Sequence, residues 1–202
     1  MIVTALTGID LWNEYTEPCI KSIRKHEPEA NIVCVDNGSK VPYPIGHRIE
    51  RTSYAGFINY VVREFEADWY LILNNDVVCT APYLSIIEEL YDDCNYGNHL
   101  LNQDGVVWIE AWSILFSNKS YGKIGEWDEK FLMGGFEDAD WGIRATQNGV
   151  GQMPLALPFR HFGGKTRWGI ENYSETRLNN MQYLYEKHGL RITKPSCSCK
   201  GD

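Results

Sequence analysis

The stretch WYLILNNDV, residues 69–77, decides the fold class of this chain. Five apolar residues, 69–73, run without interruption into Asn74, Asn75 and Asp76. A continuous apolar run of this length is typical of a strand covered on both faces, as in a parallel sheet between layers of helices. The polar end has two interpretations: an N-cap for the next helix, or a carboxylate delivered to a ligand at the sheet edge.

Apolar runs of the same kind occur at residues 2–6 and 32–35. Apolar residues at helical spacing follow each of the three runs, at 12–23, 57–65 and 83–90. Strands that alternate with helices predict an α/β fold with a central, mostly parallel mixed sheet flanked by helices. The second half of the chain is less regular.

Three elements are predicted in that second half. A helix is expected over residues 138–148, ended by Gly149, and an amphipathic helix over 178–188, ended by Gly189. Residues 155–159 follow Pro154 and contain Pro158 near their end, which predicts an edge strand. No repeat or linker interrupts the chain, so a single domain is expected.

Composition limits the classes of function. A chain of 202 residues with 44% hydrophobic and 23% charged residues suits one globular domain. The net charge of -8 argues against a nucleic-acid surface, although a metal ion can still bring phosphate into an acidic site. No apolar run approaches the roughly 20 residues of a membrane span, and no signal-peptide pattern is present. These features predict a soluble cytoplasmic protein without a membrane span.

Further polar clusters could carry chemistry. Residues 36–39 (DNGS) follow the second apolar run, where Asp36 could equally cap a turn. Residues 137–140 (EDAD) suit a helix N-terminus, yet the segment before them is apolar and glycine-rich. A carboxyl group that packs against apolar side chains has a raised pKa, and a general base requires such a pKa. His161, followed closely by two glycines, fits a metal or phosphate site, although a structural histidine is the alternative.

Taken in order, these segments resemble those of a known family. The segments are VDNGS (35–39), AGFINY (55–60), LNNDV (73–77), IGEWDEKF (124–131), FEDADWGIR (136–144) and HFGGKT (161–166). The chain resembles family 2 glycosyltransferases with the GT-A fold, in particular the rhamnosyltransferase-like branch and the glycosyltransferase domains of large DNA viruses of algae. The resemblance covers about residues 2–166.

The resemblance implies a single GT-A domain over residues 1–202. It divides into a nucleotide-binding half (1–100), an acceptor and catalytic half (101–170), and a C-terminal helix and tail (171–202). The implied activity is that of a metal-dependent hexosyltransferase, which moves a sugar from a nucleoside-diphosphate sugar, expected to be UDP-linked, to a hydroxyl of a glycan or glycoprotein acceptor. Inversion at the anomeric carbon is expected.

The resemblance also assigns residues. Donor binding is assigned to Thr4, Thr7, Asp36, Asn59, Asn75 and Lys165. Asp36 is expected to contact the nucleoside, and Lys165 lies in a segment that could close over the diphosphate. Asp76 and His161 are expected to hold Mn²⁺ or Mg²⁺, and an imidazole ligand favours Mn²⁺. The family has an acid where this chain has Asn74.

Asp138 is the expected general base, with Glu137 as the second choice. Asp140 is expected to orient the helix or to bind acceptor. Sugar rings could stack on Trp112, Trp141 or Trp168, for each of which core packing is the alternative.

Two other functions stay open at this stage. A sugar-nucleotide nucleotidyltransferase would need a glycine-rich loop with a basic residue after the first strand, and residues 4–10 (TALTGID) lack the basic residue. A non-catalytic sugar- or nucleotide-binding domain on a transferase scaffold is consistent with the loss of the acid at Asn74.

Overall fold

A computed structural model describes residues 1–103, 105–163 and 172–190 as a mixed sheet flanked by helices. The strands are β1 (Ile2–Gly8), β2 (Asn31–Asn37), β3 (His47–Ile49), β4 (Trp69–Asn74), β5 (Val77–Cys79), β6 (Cys94–Gly97), β7 (Leu100–Gln103), β8 (Val106–Ile109), β9 (Ser113–Ser117), β10 (Gly151–Pro154) and β11 (Phe159–His161). The helices are α1 (Glu17–His26), α2 (Tyr54–Glu64), α3 (Leu84–Ile87), α4 (Asn118–Ile124), α5 (Glu137–Gln147) and α6 (Tyr173–His188), and a π-helical turn (Trp12–Thr16) precedes α1.

The main sheet has seven strands in the order β10-β6-β9-β4-β1-β2-β3. β1 lies parallel to both β2 and β4, β2 parallel to β3, and β10 parallel to β6. β9 is antiparallel to both of its neighbours, β4 and β6. The predicted α/β fold with a mostly parallel mixed sheet is therefore confirmed.

The apolar run in β4 packs on both faces of the sheet. Tyr70 and Ile72 belong to the hydrophobic cluster that includes buried side chains of α2 and α5. Leu71 and Leu73 belong to the cluster on the other face, with buried side chains of α1. Each of these four residues is at most 1% exposed, and full burial of such a side chain is worth about 1.5–3 kcal/mol. The continuous run is explained because neither face of β4 is open to solvent.

Three predicted helices match the structure well. The segments 57–65, 138–148 and 178–188 correspond to α2, α5 and α6. Ser53 caps α2 by accepting a hydrogen bond from the Gly56 N–H at 3.1 Å. Gly189, with φ of 60°, ends α6 as its sequence position indicates. No described helix is long and apolar enough to cross a membrane.

Two predicted elements differ from the structure. The helix expected over residues 83–90 forms only the four-residue α3. The edge strand expected over residues 155–159 is wrong: β10, which ends at Pro154, forms one edge of the main sheet, and the chain leaves it through tight turns. The N–H of Leu157 bonds to the oxygen of Leu155 at 2.8 Å, and that of Phe159 to the oxygen of Leu157 at 2.7 Å. A proline within this segment, Pro158, offers no N–H for a ladder.

Candidate functional site

One cavity of about 390 Å³ opens at the edge of the sheet where β1 and β4 end. Thr7 and Gly8 at the end of β1 line one wall, and residues 74–76 after β4 line the next. Glu137 and Asp138, at the start of α5, line the opposite part. Ligands of open α/β sheets bind at the carboxyl ends of the strands, so the cavity lies where the fold places a ligand.

Strand pairing brings Asp76 and His161 together although 85 positions separate them. β5 follows Asp76 directly and pairs antiparallel with β11, with His161 opposite Val77. His161 Nε2 lies 3.1 Å from Asp76 Oδ1, and the carboxyl is 1% exposed. The N–H of Phe162 also bonds to the Asp76 carbonyl oxygen at 2.9 Å, which fixes the two segments to each other.

Trp112 packs flat on His161 at the cavity wall. The ring centroids are 4.7 Å apart and the planes differ by 8°. The Trp112 carbonyl accepts a hydrogen bond from the Asn74 N–H at 2.9 Å, so β4 also holds this segment. The stacked indole restricts the rotation of the imidazole and fixes the direction in which Nε2 points.

The donor atoms beside Asp76 fit a divalent cation. A carboxylate oxygen and an imidazole nitrogen are both ligands of Mn²⁺, and Asn74 Nδ2 lies 3.5 Å from His161 Nε2. No group of three or more His, Cys, Asp or Glu side chains suited to a metal occurs among the described residues. Asp76 and His161 therefore fit an ion that takes several of its ligands from a bound substrate, such as the oxygens of a diphosphate.

Asn75 and Thr7 line the cavity wall. Asn75 Nδ2 donates to Thr16 Oγ1 at 3.0 Å, and Thr7 Oγ1 donates to the Val35 oxygen at 3.2 Å. A Cβ on Gly8 would come within 2.4 Å of Asn75 Nδ2, so only glycine allows β1 to approach Asn75 this closely.

Asp36 is buried and is not part of the cavity wall; its neighbour Asn37 is. Its carboxylate accepts hydrogen bonds from the N–H of Ser39 at 2.8 Å and of Tyr43 at 3.1 Å, and from Arg48 Nη1 at 2.9 Å. Burial opposes ionisation of Asp36, but the hydrogen bonds and the Arg48 charge outweigh it and lower its pKa. The geometry thus favours the turn-capping interpretation of Asp36.

Thr4 and Asn59, two expected donor-binding residues, are fully buried away from the cavity. Thr4 Oγ1 lies 2.7 Å from the Tyr83 hydroxyl. Asn59 Nδ2 donates to the Trp127 oxygen at 2.9 Å, and its Oδ1 accepts from the Trp127 N–H at 2.9 Å. Asn59 therefore fastens α2 to the segment before Phe131. The order of motifs could not show this, because Trp127 is 68 positions away.

Asp140 is also fully buried, below the cavity floor and between two helices. Its carboxylate accepts from Arg144 Nε at 3.0 Å and lies 2.7 Å from His188 Nε2 and 2.6 Å from Lys187 Nζ. These contacts join α5 to α6. Of the two roles expected for Asp140, orienting the helix matches this geometry, and contact with acceptor does not.

Glu137 and Asp138 form a carboxyl pair at the cavity. Glu137 is 6% exposed, and its Oε2 has no hydrogen-bond partner among the described residues. Asp138 is half-buried, with Oδ1 accepting from the Ala139 N–H at 2.9 Å. Burial raises the pKa of both groups, and the Asp138 charge raises the pKa of Glu137 further. When Asp138 is ionised, Glu137 therefore tends to keep its proton.

Two of the three tryptophans considered as sugar platforms are described. Trp141 is 1% exposed and stacks on Trp127 at 4.8 Å, so core packing accounts for it. Trp112 lines the cavity but presents one ring face to His161. Lys165 and Trp168 lie outside the described residues.

Sequence reasoning missed several cavity residues. Tyr54 begins α2, and its hydroxyl donates to the Ala111 oxygen at 2.8 Å. Arg177 reaches the cavity from α6, with its guanidinium 4.7 Å from the centre of the Phe136 ring. Neither residue belongs to a motif, and nothing in the local sequence separates either from an ordinary residue of a helix surface.

Comparison with solved structures gives the fold. GalNAc-T7, solved with UDP, GalNAc and Mn²⁺, matches with a TM-score of 0.71 at 10% identity, over 100% of this chain and 53% of that chain. TarS from S. aureus matches with a TM-score of 0.63 at 11% identity, over 96% of this chain and 44% of that chain. The mannosyltransferase PcManGT from Pyrobaculum calidifontis, in complex with GDP-Man and Mn²⁺, matches with a TM-score of 0.62 at 11% identity, over 94% of this chain and 64% of that chain.

The chain has the GT-A fold. It spans less than two thirds of the length of each of these three structures. No protein-family model and no curated protein matches the sequence. At such low identities the likeness establishes the GT-A fold, and the chemistry has to be argued from the cavity itself.

Proposed function

We propose that this chain is a metal-dependent glycosyltransferase of the hexosyltransferase type. It moves a sugar from a UDP-sugar to a hydroxyl of a glycan or glycoprotein acceptor, with inversion. The observation that supports this best is one cavity with two kinds of acid. Asp76 beside His161 suits a cation, and Asp138 beside Glu137 suits proton transfer. The GT-A fold, and the nucleotides and Mn²⁺ in the GalNAc-T7 and PcManGT structures, support the same proposal.

Donor binding is assigned to the strand ends. Asp76 and His161 would hold a divalent ion, which, when bound, neutralises the negative charge of the departing diphosphate. Thr7 and Asn75 line the wall beside it and are proposed to contact the donor. Lys165, which lies outside the described residues, is proposed to contact the diphosphate. Gly8 lets β1 pack closely against Asn75 and Tyr43, which a Cβ would meet at 2.4 and 2.5 Å, and so places Asn75 at this wall.

Asp138 is proposed as the general base. Its ionised carboxylate takes the proton of the acceptor hydroxyl while that oxygen bonds to the anomeric carbon and the bond to the nucleoside diphosphate breaks. The raised pKa makes Asp138 a stronger base than an ordinary carboxylate. Glu137 keeps its proton beside the ionised Asp138, so the two acids have different tasks.

The finer sequence-based assignments stay predictions. They are the donor half at residues 1–100, the catalytic half at 101–170, the C-terminal helix and tail at 171–202, the rhamnosyltransferase-like branch, the viral relatives and the cytoplasmic location. The cavity is consistent with the division into halves, since residues 74–76 come from the first and Glu137 and Asp138 from the second.

A donor screen tests the proposal. The protein is incubated with UDP- and GDP-sugars, Mn²⁺ and simple glycan acceptors, and released nucleoside diphosphate and glycosylated product are measured. Thermal unfolding with UDP and GDP, each with and without Mn²⁺, reports binding separately. We expect metal-dependent stabilisation by UDP and transfer from a UDP-sugar.

Other outcomes distinguish the alternatives. No stabilisation by any nucleoside diphosphate with metal would contradict a donor site. Stabilisation without release or transfer from any donor would indicate a non-catalytic binding domain. Formation of a sugar nucleotide from a sugar phosphate and a nucleoside triphosphate, with pyrophosphate released, would indicate a nucleotidyltransferase.

A further inference from the structure

The loop that leads into the Glu137–Asp138 pair has an unfavourable backbone conformation. Four consecutive residues have positive φ: Met133 at 58°, Gly134 at 122°, Gly135 at 105° and Phe136 at 73°. Met133 and Phe136 carry side chains, and a non-glycine residue in this region costs roughly 1 kcal/mol or more. Such a conformation persists only where surrounding contacts hold it. No side-chain cap at Phe136 helps to start α5.

One buried side chain from α6 provides contacts of this kind. Asn180 is 3% exposed, and its Oδ1 accepts from the Leu132 N–H at 3.2 Å. Its Nδ2 donates to the oxygens of Leu132 at 2.9 Å, Gly135 at 3.1 Å and Gly134 at 3.4 Å. An amide is both donor and acceptor, so it can bind the N–H and the carbonyls of the same loop. Asn180 thus supplies hydrogen bonds to the backbone of a loop that belongs to no helix or strand.

The orientation of one peptide unit links Asn180 to the carboxyl pair. The carbonyl of Gly134 lies 3.4 Å from Asn180 Nδ2, and a Cβ on Gly134 would lie 3.7 Å from Glu137 Oε1. The backbone at Gly134 is therefore next to both Asn180 and the Glu137 carboxyl. By holding the Gly134 oxygen, Asn180 fixes the orientation of a peptide that lies beside Glu137.

The helix that carries Asn180 is itself anchored. His188 and Lys187, at the end of α6, contact the buried carboxylate of Asp140 in α5. Lys187 Nζ also lies 2.7 Å from Asp128 Oδ2. Nearer the cavity, Arg177 covers the ring of Phe136. These contacts fix α6 relative to both the loop and α5.

We infer that Asn180 is a positioning residue, which holds the loop of residues 132–136 in the conformation that presents Glu137 and Asp138 to the cavity. Asn180 does not line the cavity and acts through the loop backbone. The inference deepens the proposed function and rests on it for the catalytic consequence. The structural part, that Asn180 orders the loop, is independent of any activity.

A pair of adjacent asparagines allows a matched experiment. Asn180→Asp has nearly the same shape but loses the Nδ2 donor and puts a carboxylate against the three loop carbonyls. Asn179→Asp makes the same chemical change one position earlier, where the side chain is exposed. Asn180→Ala removes the contacts without adding charge and serves if Asn180→Asp does not fold. Each variant is compared with wild type by amide hydrogen exchange, UDP and Mn²⁺ binding, and steady-state kinetics.

We expect faster exchange in residues 132–138 of the Asn180 variants, with β1 and β4 unchanged and with UDP affinity unchanged. The kcat should fall by about 10- to 100-fold while the KM for donor stays the same, because the base is misplaced and the donor wall is intact. Asn179→Asp should match wild type in every measurement.

Two results would overturn the inference. One is that residues 132–138 of the Asn180 variants exchange no faster than the same residues of Asn179→Asp. The other is faster exchange throughout the chain with activity lost in proportion, which would make Asn180 a general stability residue. If wild type itself shows no transfer with any donor, the proposed function fails, and the exchange comparison still decides whether Asn180 orders the loop.

Discussion

The two acidic parts of the cavity are held in place by different means. Asp76 follows a central strand, and the pairing of β5 with β11 brings His161 beside it. Glu137 and Asp138 follow a loop with positive φ, which depends on side chains of the distant α6. Strand pairing holds the first part, whereas side-chain contacts from outside the sheet hold the second. Changes at the two parts should therefore separate binding from catalysis.

The largest effect is expected from Asp138→Asn. Removal of a general base typically costs about 10²- to 10⁴-fold, and we expect that loss in kcat with UDP binding unchanged. The amide has nearly the same size, so the cavity keeps its shape. Unimpaired transfer by Asp138→Asn would reject Asp138 as the base, and a greater loss in Glu137→Gln would transfer that role to Glu137.

The complementary change is Asp76→Asn, in the part of the cavity that strand pairing holds. Loss of the carboxylate leaves His161 without its charged partner, so Mn²⁺-dependent stabilisation by UDP in thermal unfolding should disappear. Asp93→Asn, an exposed acid outside the cavity, is the control. Full metal-dependent stabilisation in Asp76→Asn would show that the ion binds elsewhere.

The pH dependence of catalysis tests the carboxyl pair directly. The base acts when ionised and its pKa is raised by burial, so kcat should fall on acidification at a pH above the usual carboxyl range near about 4. Glu110 also contributes to the raised pKa of Asp138. In a profile of kcat against pH, we expect the acid limb to lie above the usual carboxyl range. An acid limb within that range would contradict a raised pKa at Asp138.

Glu137→Gln should change how stability depends on pH. The folded-state pKa of Glu137 is raised, so between the unfolded pKa and the folded pKa the folded state binds more protons. Wild-type stability should therefore decline as pH rises through this interval, and Glu137→Gln should flatten the decline. Denaturant unfolding at a series of pH values measures the pH dependence of the unfolding free energy. Parallel curves for wild type and Glu137→Gln would contradict a raised pKa at Glu137.

The smallest effect is expected from Asn74→Asp, which introduces the acid that the resemblance to family 2 glycosyltransferases predicts at this position. A second carboxylate near His161 should tighten Mn²⁺ binding in the presence of UDP, because affinity rises with the number of charged ligands. Titration calorimetry with Mn²⁺ and UDP measures the change. Unchanged affinity would show that position 74 does not face the ion.

The sequence predicts the sheet better than the loop. Residues 69–77 indicate both a strand covered on its two faces and its polar end, because both features are visible in the local order of apolar and polar residues. Thr4 and Asn59 were misjudged as site residues, and the acceptor-binding role considered for Asp140 does not match its geometry, because each is fixed by a partner far along the chain, such as His188 for Asp140. Sequence reasoning could not identify Asn180, because a single buried amide does not change the apolar spacing from which an amphipathic helix is predicted.

The flat contact between Trp112 and His161 has a practical consequence. Trp112 is a fluorophore stacked on His161, the proposed ion ligand, and paramagnetic Mn²⁺ bound there would quench its emission. The difference in emission between wild type and Trp112→Phe would then isolate one tryptophan among the seven in the chain. On the proposed function, Trp112 would serve as an optical reporter with which ion arrival is timed separately from sugar transfer.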